Sequence, residues 1–281
     1  MEKQIDWKMS DFKGLPSIRK QFELAKLWDG TRLLMHKKQF PDQPYGRIQR
    51  FRRLAERAPP KGKILIAAAG TGNPELIGMG DLPKPLIERL EFSDGSPAMV
   101  ELFERNYPAF KEKILLRHWE DLPETYGKRK LGAVFITGGS LGYVISWGEE
   151  KVREWAIDEL RIAFEAVNKT LIRNGQFFFD LPKYTNENGT IGSGLYEGKR
   201  VEYSYGVTEN EGIRTWTVSV AGEISNSATV QGISLDLGVL NGILAETGFK
   251  EATGIPESLQ LDPLYYELHY AEKKGKFWQI F

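Results

Sequence analysis

From Lys63 onward the chain alternates between two textures. Runs that are apolar at consecutive positions, ILIAAAG at 64–70, RLEFSD at 89–94, ILLRH at 114–118, AVFIT at 133–137 and QFFFDL at 176–181, are separated by stretches with apolar residues three and four apart. A strand that is apolar on both sides must be covered on both faces, as in a parallel sheet lying between two layers of helices. The order predicts an α/β fold, Rossmann-like, with a doubly wound and mostly parallel sheet. The longest helical pattern, at 149–173, aligns Val152, Ala156, Leu160, Ala163, Phe164, Val167 and Leu171 on one stripe and stops at Asn174-Gly175.

After Pro182 turn residues accumulate, and two alternating runs at 200–207 and 213–220 predict an inserted β-hairpin within about 182–232, after the fifth strand. A helix at 234–247 and strands near 249–253 and 264–271 complete the sheet. Only a loop joins those last two strands, so an antiparallel C-terminal strand is expected. The first 60 residues differ, with helices predicted at 18–28 and 46–57. In the second helix Ile48, Phe51, Leu54 and Ala55 form one face, and Arg50, Arg52, Arg53 and Arg57 the other. The expected organisation is a helical segment over 1–60 and a sheet domain over 61–281.

Composition narrows the chemistry. The chain has 281 residues, enough for one large domain, and no cysteine, which rules out disulfides, thiolate metal sites and a thiol nucleophile. His36, His118 and His269 stand without neighbours at metal-ligand spacing, so no metal is expected. No run approaches the roughly 20 apolar residues that span a bilayer. The opening MEKQIDWKMSDFKG lacks the apolar stretch of a signal peptide. A cytoplasmic protein with no membrane partner is the expectation. Lys+Arg and Asp+Glu balance at 38 each, yet residues 1–63 hold 16 basic against 7 acidic side chains. This reads first as the solvated side of a packed helix. Binding of RNA or a phosphorylated ligand is the competing reading, but no base-reading motif accompanies the basic face, so nucleic acid is not the expected partner.

The first apolar run ends in Gly70-Thr71-Gly72, where the absence of Cβ lets backbone turn closely against a nucleotide. Asp94 follows 22 residues after Gly72 and ends the second strand. An acid there can accept from both ribose hydroxyls of an adenosine; its alternative role is to cap the helix that begins at Ser96-Pro97. Enzymes that use NAD share this arrangement, but the loop reads AAGTGN rather than GxGxxG, and no Tyr-x-x-x-Lys unit follows.

With GFKEATG and LYYELHYAEKK closing the chain, residues 60 to 273 resemble the class I S-adenosylmethionine-dependent methyltransferases. The family's first motif is typically V-L-D-x-G-C-G-T-G. Here Ile66 replaces its acid and Ala68 its first glycine, which is tolerable if position 68 never needs a positive φ. SDGSPAM carries the second motif and RHWEDLP, at 117–123, the third. Within the class, RHWEDLP and AVFITGGSLGYV are similar to glycine N-methyltransferase-like enzymes acting on small molecules.

The resemblance implies S-adenosylmethionine as cofactor, held by Ala68, Gly70, Gly72, Asp94 and Gly95. It places His118 and Trp119 beside the adenine, and Thr137, Gly138 and Ser140 beside the methionine part; core packing is the other reading of Trp119. In DLPKYTNENG, aligning Asp180 and Tyr184 with the family puts Pro182 where its glycine-binding Arg stands and Gly139 where it has Asn, so glycine is not the expected acceptor. Tyr143, Tyr184, Tyr196 and Trp28 are expected on the substrate side. Residues 1–60, with Trp28, Arg32 and His36, would close over the cofactor as a helical N-terminal lid.

The implied function is methyl transfer to a nitrogen or oxygen of a small-molecule acceptor, with no catalytic residue singled out. The alternatives are aminocarboxypropyl transfer or a cyclisation releasing methylthioadenosine, and an RNA- or phosphate-ligand-binding protein on the same fold. Self-association is left open.

Overall fold

The computed structural model describes residues 18–40, 46–72, 82–143, 153–184 and 186–274. Asn73 at the end of the first loop, Val144 and the start of the long helix pattern, including Val152, lie outside them.

Seven strands form the main sheet: β1 (Lys63–Ala67), β2 (Leu90–Asp94), β3 (Ile114–Leu116), β4 (Leu131–Ile136), β5 (Leu171–Pro182), β10 (Thr253–Gly254) and β11 (Tyr266–Glu272). Their order is β10-β11-β5-β4-β1-β2-β3. β1 to β5 pair in parallel, whereas β11 runs antiparallel to β5 and β10 antiparallel to β11. The predicted strand near 249–253 shrinks to the two residues of β10, with only an isolated bridge from Phe249 to Lys273.

Alternation along the strands sends successive residues to opposite faces. Ile64, Ile66, Phe92, Ala133, Phe135 and Phe178 face one layer, Leu65, Ala67, Val134, Ile136, Phe177 and Phe179 the other. The first layer is built by α2 (Gly46–Arg57), which contributes Ile48, Phe51, Leu54 and Ala55, with help from α3 (Lys84–Arg89) and Phe103 of α4 (Pro97–Asn106). The basic helix therefore covers the sheet and does not hang over it as part of a lid. Its polar side is also put to structural use: Arg47 is fully buried, and Arg50 donates to the carbonyls of Glu257 and Gln260. The second layer is α5 (Leu122–Tyr126), α6 (Arg153–Thr170) and α7 (Leu237–Glu246). α6 carries the predicted stripe from Ala156 to Val167 into the core, but Leu171 already begins β5. Among the described residues no helix is long and apolar enough to cross a membrane.

The insertion is larger than the hairpin expected. β6 (Glu187–Tyr196), β7 (Lys199–Asn210), β8 (Ile213–Gly222) and β9 (Asn226–Ile233) form a four-stranded antiparallel meander, separate from the main sheet. Glycines and polar residues in β6 and β9 hide their period-2 pattern, so only the two central strands were legible. One face of the meander, with Tyr203, Tyr205, Trp216, Val218 and Val230, packs with Leu24 and Leu27 of α1 (Ile18–Gln39). α1 continues 11 residues past the predicted end at 28 because the meander and α4 flank it on two sides. At Gly30 a Cβ would lie 2.3 Å from the Tyr203 hydroxyl, so this helix position has room only for glycine.

Candidate functional site

The C-terminal edge of the parallel strands, α1 and the meander enclose one large cavity. Its volume is about 140 Å³, and it opens to solvent; concave sites of this kind take small molecules. Ligands of open α/β sheets bind at this edge, beside the point where the strand order reverses between β1 and β4.

The β1 turn forms its floor. Ala68, Gly70 and Gly72 have φ of 58°, 60° and 105°. Position 68 does take a positive φ, so the condition under which an alanine there would be free of strain is not met: Ala68 occupies the left-handed conformation that glycine adopts more readily. The turn is held by a neighbouring acid rather than by the missing one at position 66. Gly70 N donates to Asp94 Oδ2 at 2.8 Å, and Ser96 N to Asp94 Oδ1 at 2.9 Å. Asp94 thus ties the β1 turn to the start of α4. Its capping role is indirect, since the side chain accepting from Met99 N is that of Ser96. Asp94 is buried, and loss of hydration raises its pKa to about 6 against the opposing pull of the Ser96 and Gly70 N–H groups, His118 and Arg32.

Gly95 brings the backbone against the imidazole, a Cβ there falling 3.1 Å from His118 Nδ1. His118 and Trp119 line the cavity beyond β3, next to Met99, Arg117 and Glu120. At the end of β4 a second glycine turn repeats the logic of the first. Gly138 N and Gly139 N donate to Asp180 Oδ2 and Oδ1 at 2.7 and 2.8 Å, and both glycines have positive φ, 79° and 72°. Burial lifts the Asp180 pKa to about 7, with Asp262 adding to the rise and the two N–H groups and Arg47 opposing it.

α1 supplies the opposite wall. Trp28 meets Trp216 of β8 edge to face at 4.7 Å, and the Arg32 guanidinium lies over Trp28 at 5.3 Å. The same guanidinium comes within 3.4 Å of the Cβ position of Gly70 and 4.0 Å of that of Gly138, so it sits between the two turns. The side chain of His36, expected nearby, lies outside the described ones.

Ala68, Gly70, Asp94, Gly95, His118, Trp119, Gly138, Ser140, Tyr143 and Trp28 all line this cavity. Four other predicted site residues do not. Gly72 faces Tyr107, and a Cβ there would fall 2.0 Å from that ring. Thr137 lies buried beneath the second turn, its carbonyl accepting from Ser140 Oγ. Tyr184 is 49% exposed and engages Arg214 only through its carbonyl. Tyr196 belongs to the core of the meander, its hydroxyl accepting from Asn226. Tyr184 stands two residues past β5 with its side chain exposed, and Tyr196 ends β6, where the meander has carried the chain away from the sheet edge. Among the lining residues absent from the expected set, Leu24, Met99, Glu159, Trp216 and Val230 come from helices and the meander. Alternation marks Trp216 and Val230 as inward-facing but cannot say what they face.

No protein-family model matches the sequence, and no curated protein matches it. Solved structures do. The sugar N-methyltransferase KedS8 from Streptoalloteichus superposes with a TM-score of 0.61 at 18% identity, over 84% of this chain and 90% of that one. The amino pentose methyltransferase CalS10 from Micromonospora echinaspora, solved with S-adenosylmethionine bound, gives 0.57 at 15% identity over 82% and 92%. An S-adenosylmethionine-dependent methyltransferase from Clostridium acetobutylicum gives 0.57 at 15% identity over 83% and 92%. At such identities the likeness is one of fold: the chain has the Rossmann-like fold of class I methyltransferases.

Proposed function

We propose that this protein is an S-adenosylmethionine-dependent methyltransferase acting on a nitrogen or oxygen of a small molecule. The observation that carries the reading is the buried Asp94 carboxylate, poised beside the Gly70 turn in a cavity that runs from Trp119 to Tyr143. Each Asp94 oxygen takes one backbone N–H and keeps a lone-pair direction for a ribose hydroxyl. Gly70 and Gly138 present bare backbone where a Cβ would protrude toward Arg32, so the cradle fits a nucleoside joined to an amino acid. His118 and Trp119 would flank the adenine, and Arg32 would hold the amino-acid carboxylate, a planar cation meeting a planar anion.

When bound, S-adenosylmethionine supplies an electrophilic methyl on a sulfonium. The chain's own residues would align the acceptor and exclude water: Trp28, Trp216, Val230 and Tyr143 give the cavity a largely apolar wall. An amine that arrives unprotonated needs no strong base there. The sugar and amino pentose methyltransferases among the solved structures support an amine-bearing small molecule as acceptor.

The test is to incubate the protein with S-adenosylmethionine and a pool of small amines, phenols and acids, and to identify the nucleoside product by mass. S-adenosylhomocysteine is the expected product. Methylthioadenosine would mean attack at another carbon, and absence of cofactor binding would reject the reading.

A further inference from the structure

A smaller cavity of about 20 Å³ adjoins the large one, sharing Trp28, Arg32 and Gly138 as its near wall. Its far side holds Gln39, Asp262 and Tyr266. We propose that Gln39 and Asp262 form a subsite for a hydrogen-bond donor of the methyl acceptor, a hydroxyl or an ammonium group next to the atom that is methylated. The inference rests on the function proposed above and adds the substrate feature that the large cavity leaves undefined.

The subsite is assembled from the inside outward. Arg47, fully buried on α2, forms an ion pair with Asp262 and donates to the carbonyl of Leu261. The N–H groups of Tyr265 and Tyr266 both donate to the Asp262 carbonyl, closing the turn that presents the carboxylate. Asp262 Oδ1 in turn accepts from Gln39 Nε2 at 3.2 Å. That bond fixes the amide's orientation, because the opposite one would set two acceptor oxygens against each other. Gln39 Oε1 is consequently buried with no hydrogen-bond partner. A buried amide oxygen without a donor is rare in a folded protein and calls for one. A cavity of this size admits one water-sized group, so the donor is a single terminal group and not a ring. Two acceptor side chains, one of them a carboxylate, select O–H or N–H over an anion. Gly138 lines both cavities, so that group would stand beside the β4 turn, where the proposed function puts the methionine part of the cofactor.

The test is calorimetric titration of the protein loaded with S-adenosylhomocysteine, using three probes: cyclohexylamine, trans-2-aminocyclohexanol and 2-aminocyclohexanecarboxylate. The aminoalcohol is expected to bind about tenfold more tightly than either of the others. In Gln39→Met this advantage should fall below about threefold with S-adenosylhomocysteine affinity unchanged, whereas Met35→Leu, which alters the apolar lining of the same cavity and no polar atom, should retain it. An equal advantage in Gln39→Met, tightest binding of the carboxylate probe, or loss of the advantage in both variants would overturn the proposal. Failure of S-adenosylhomocysteine to bind would strike the methyltransferase reading alone. The probes are then titrated on the free protein, where the same order of affinities and the same response to the variants are required.

Discussion

Ala68 shows how a single residue can hold a conformation its side chain disfavours. At φ 58° it sits where an L-residue costs roughly 1–2 kcal/mol relative to the right-handed region. Ala68→Gly should therefore raise stability by about 1 kcal/mol, read as a higher denaturant midpoint at unchanged slope; a lower midpoint would show that the methyl group's packing outweighs the strain. Asp94 and Asp180 set a pH dependence. Their folded pKa values, about 6 and about 7, lie above the ordinary carboxylate value of 3.8, so the native state binds more protons than the unfolded chain in between. The two groups cost no stability below about pH 4, and the cost grows as pH rises to about 7. Asp180→Asn should flatten that slope in urea titrations at pH 4 to 7. Nucleoside binding follows the opposite sense: ionised Asp94 accepts more hydrogen bonds, so S-adenosylhomocysteine affinity should rise through pH 6, and Asp94→Ala should weaken it at least tenfold. An Asp94→Ala protein that binds as tightly as the native one would remove Asp94 from the site.

At the scale of elements, α1 is decided by what flanks it. A glycine inside a helix ordinarily costs about 1 kcal/mol relative to alanine, yet Gly30 faces the Tyr203 hydroxyl of the meander with no space for a methyl. Gly30→Ala should therefore destabilise the protein and loosen α1 from the meander, seen as lower thermal stability and earlier cleavage within α1. A stabilised variant would show that the two elements separate at little cost. The two glycine turns follow a common rule. Each ends a central parallel strand, and each is fixed by a buried aspartate at the end of the next strand in space, Asp94 of β2 for the β1 turn and Asp180 of β5 for the β4 turn.

For the whole molecule, the cavity is lined by three groups of different origin: the strand ends with α4 and α6, α1, and the meander. A ligand that touches all three should tie them together. If α1 acts as the lid, adding S-adenosylhomocysteine should slow proteolysis within residues 18–40. Unchanged cleavage would leave α1 as a fixed wall, which its burial between the meander and α4 also permits.

Residues whose place follows from a strand's end were legible in the chain itself. Gly70, Asp94, His118, Gly138 and Ser140 each stand within a few residues of a doubly apolar run, and a parallel sheet brings all such ends to one edge. The layers of the sheet were legible for the same reason, since period 2 and period 3.6 are properties of neighbouring residues. Only the tertiary structure decided what stands opposite that edge. Trp216, Val230, Gln39 and Asp262 come from elements whose docking depends on contacts between residues far apart in the chain, as Gln39 and Asp262, 223 positions apart, illustrate. Their own sequence marks them as buried or polar and nothing more, because a local pattern fixes which way a side chain points along its element, while the partner it meets is set by how the elements pack.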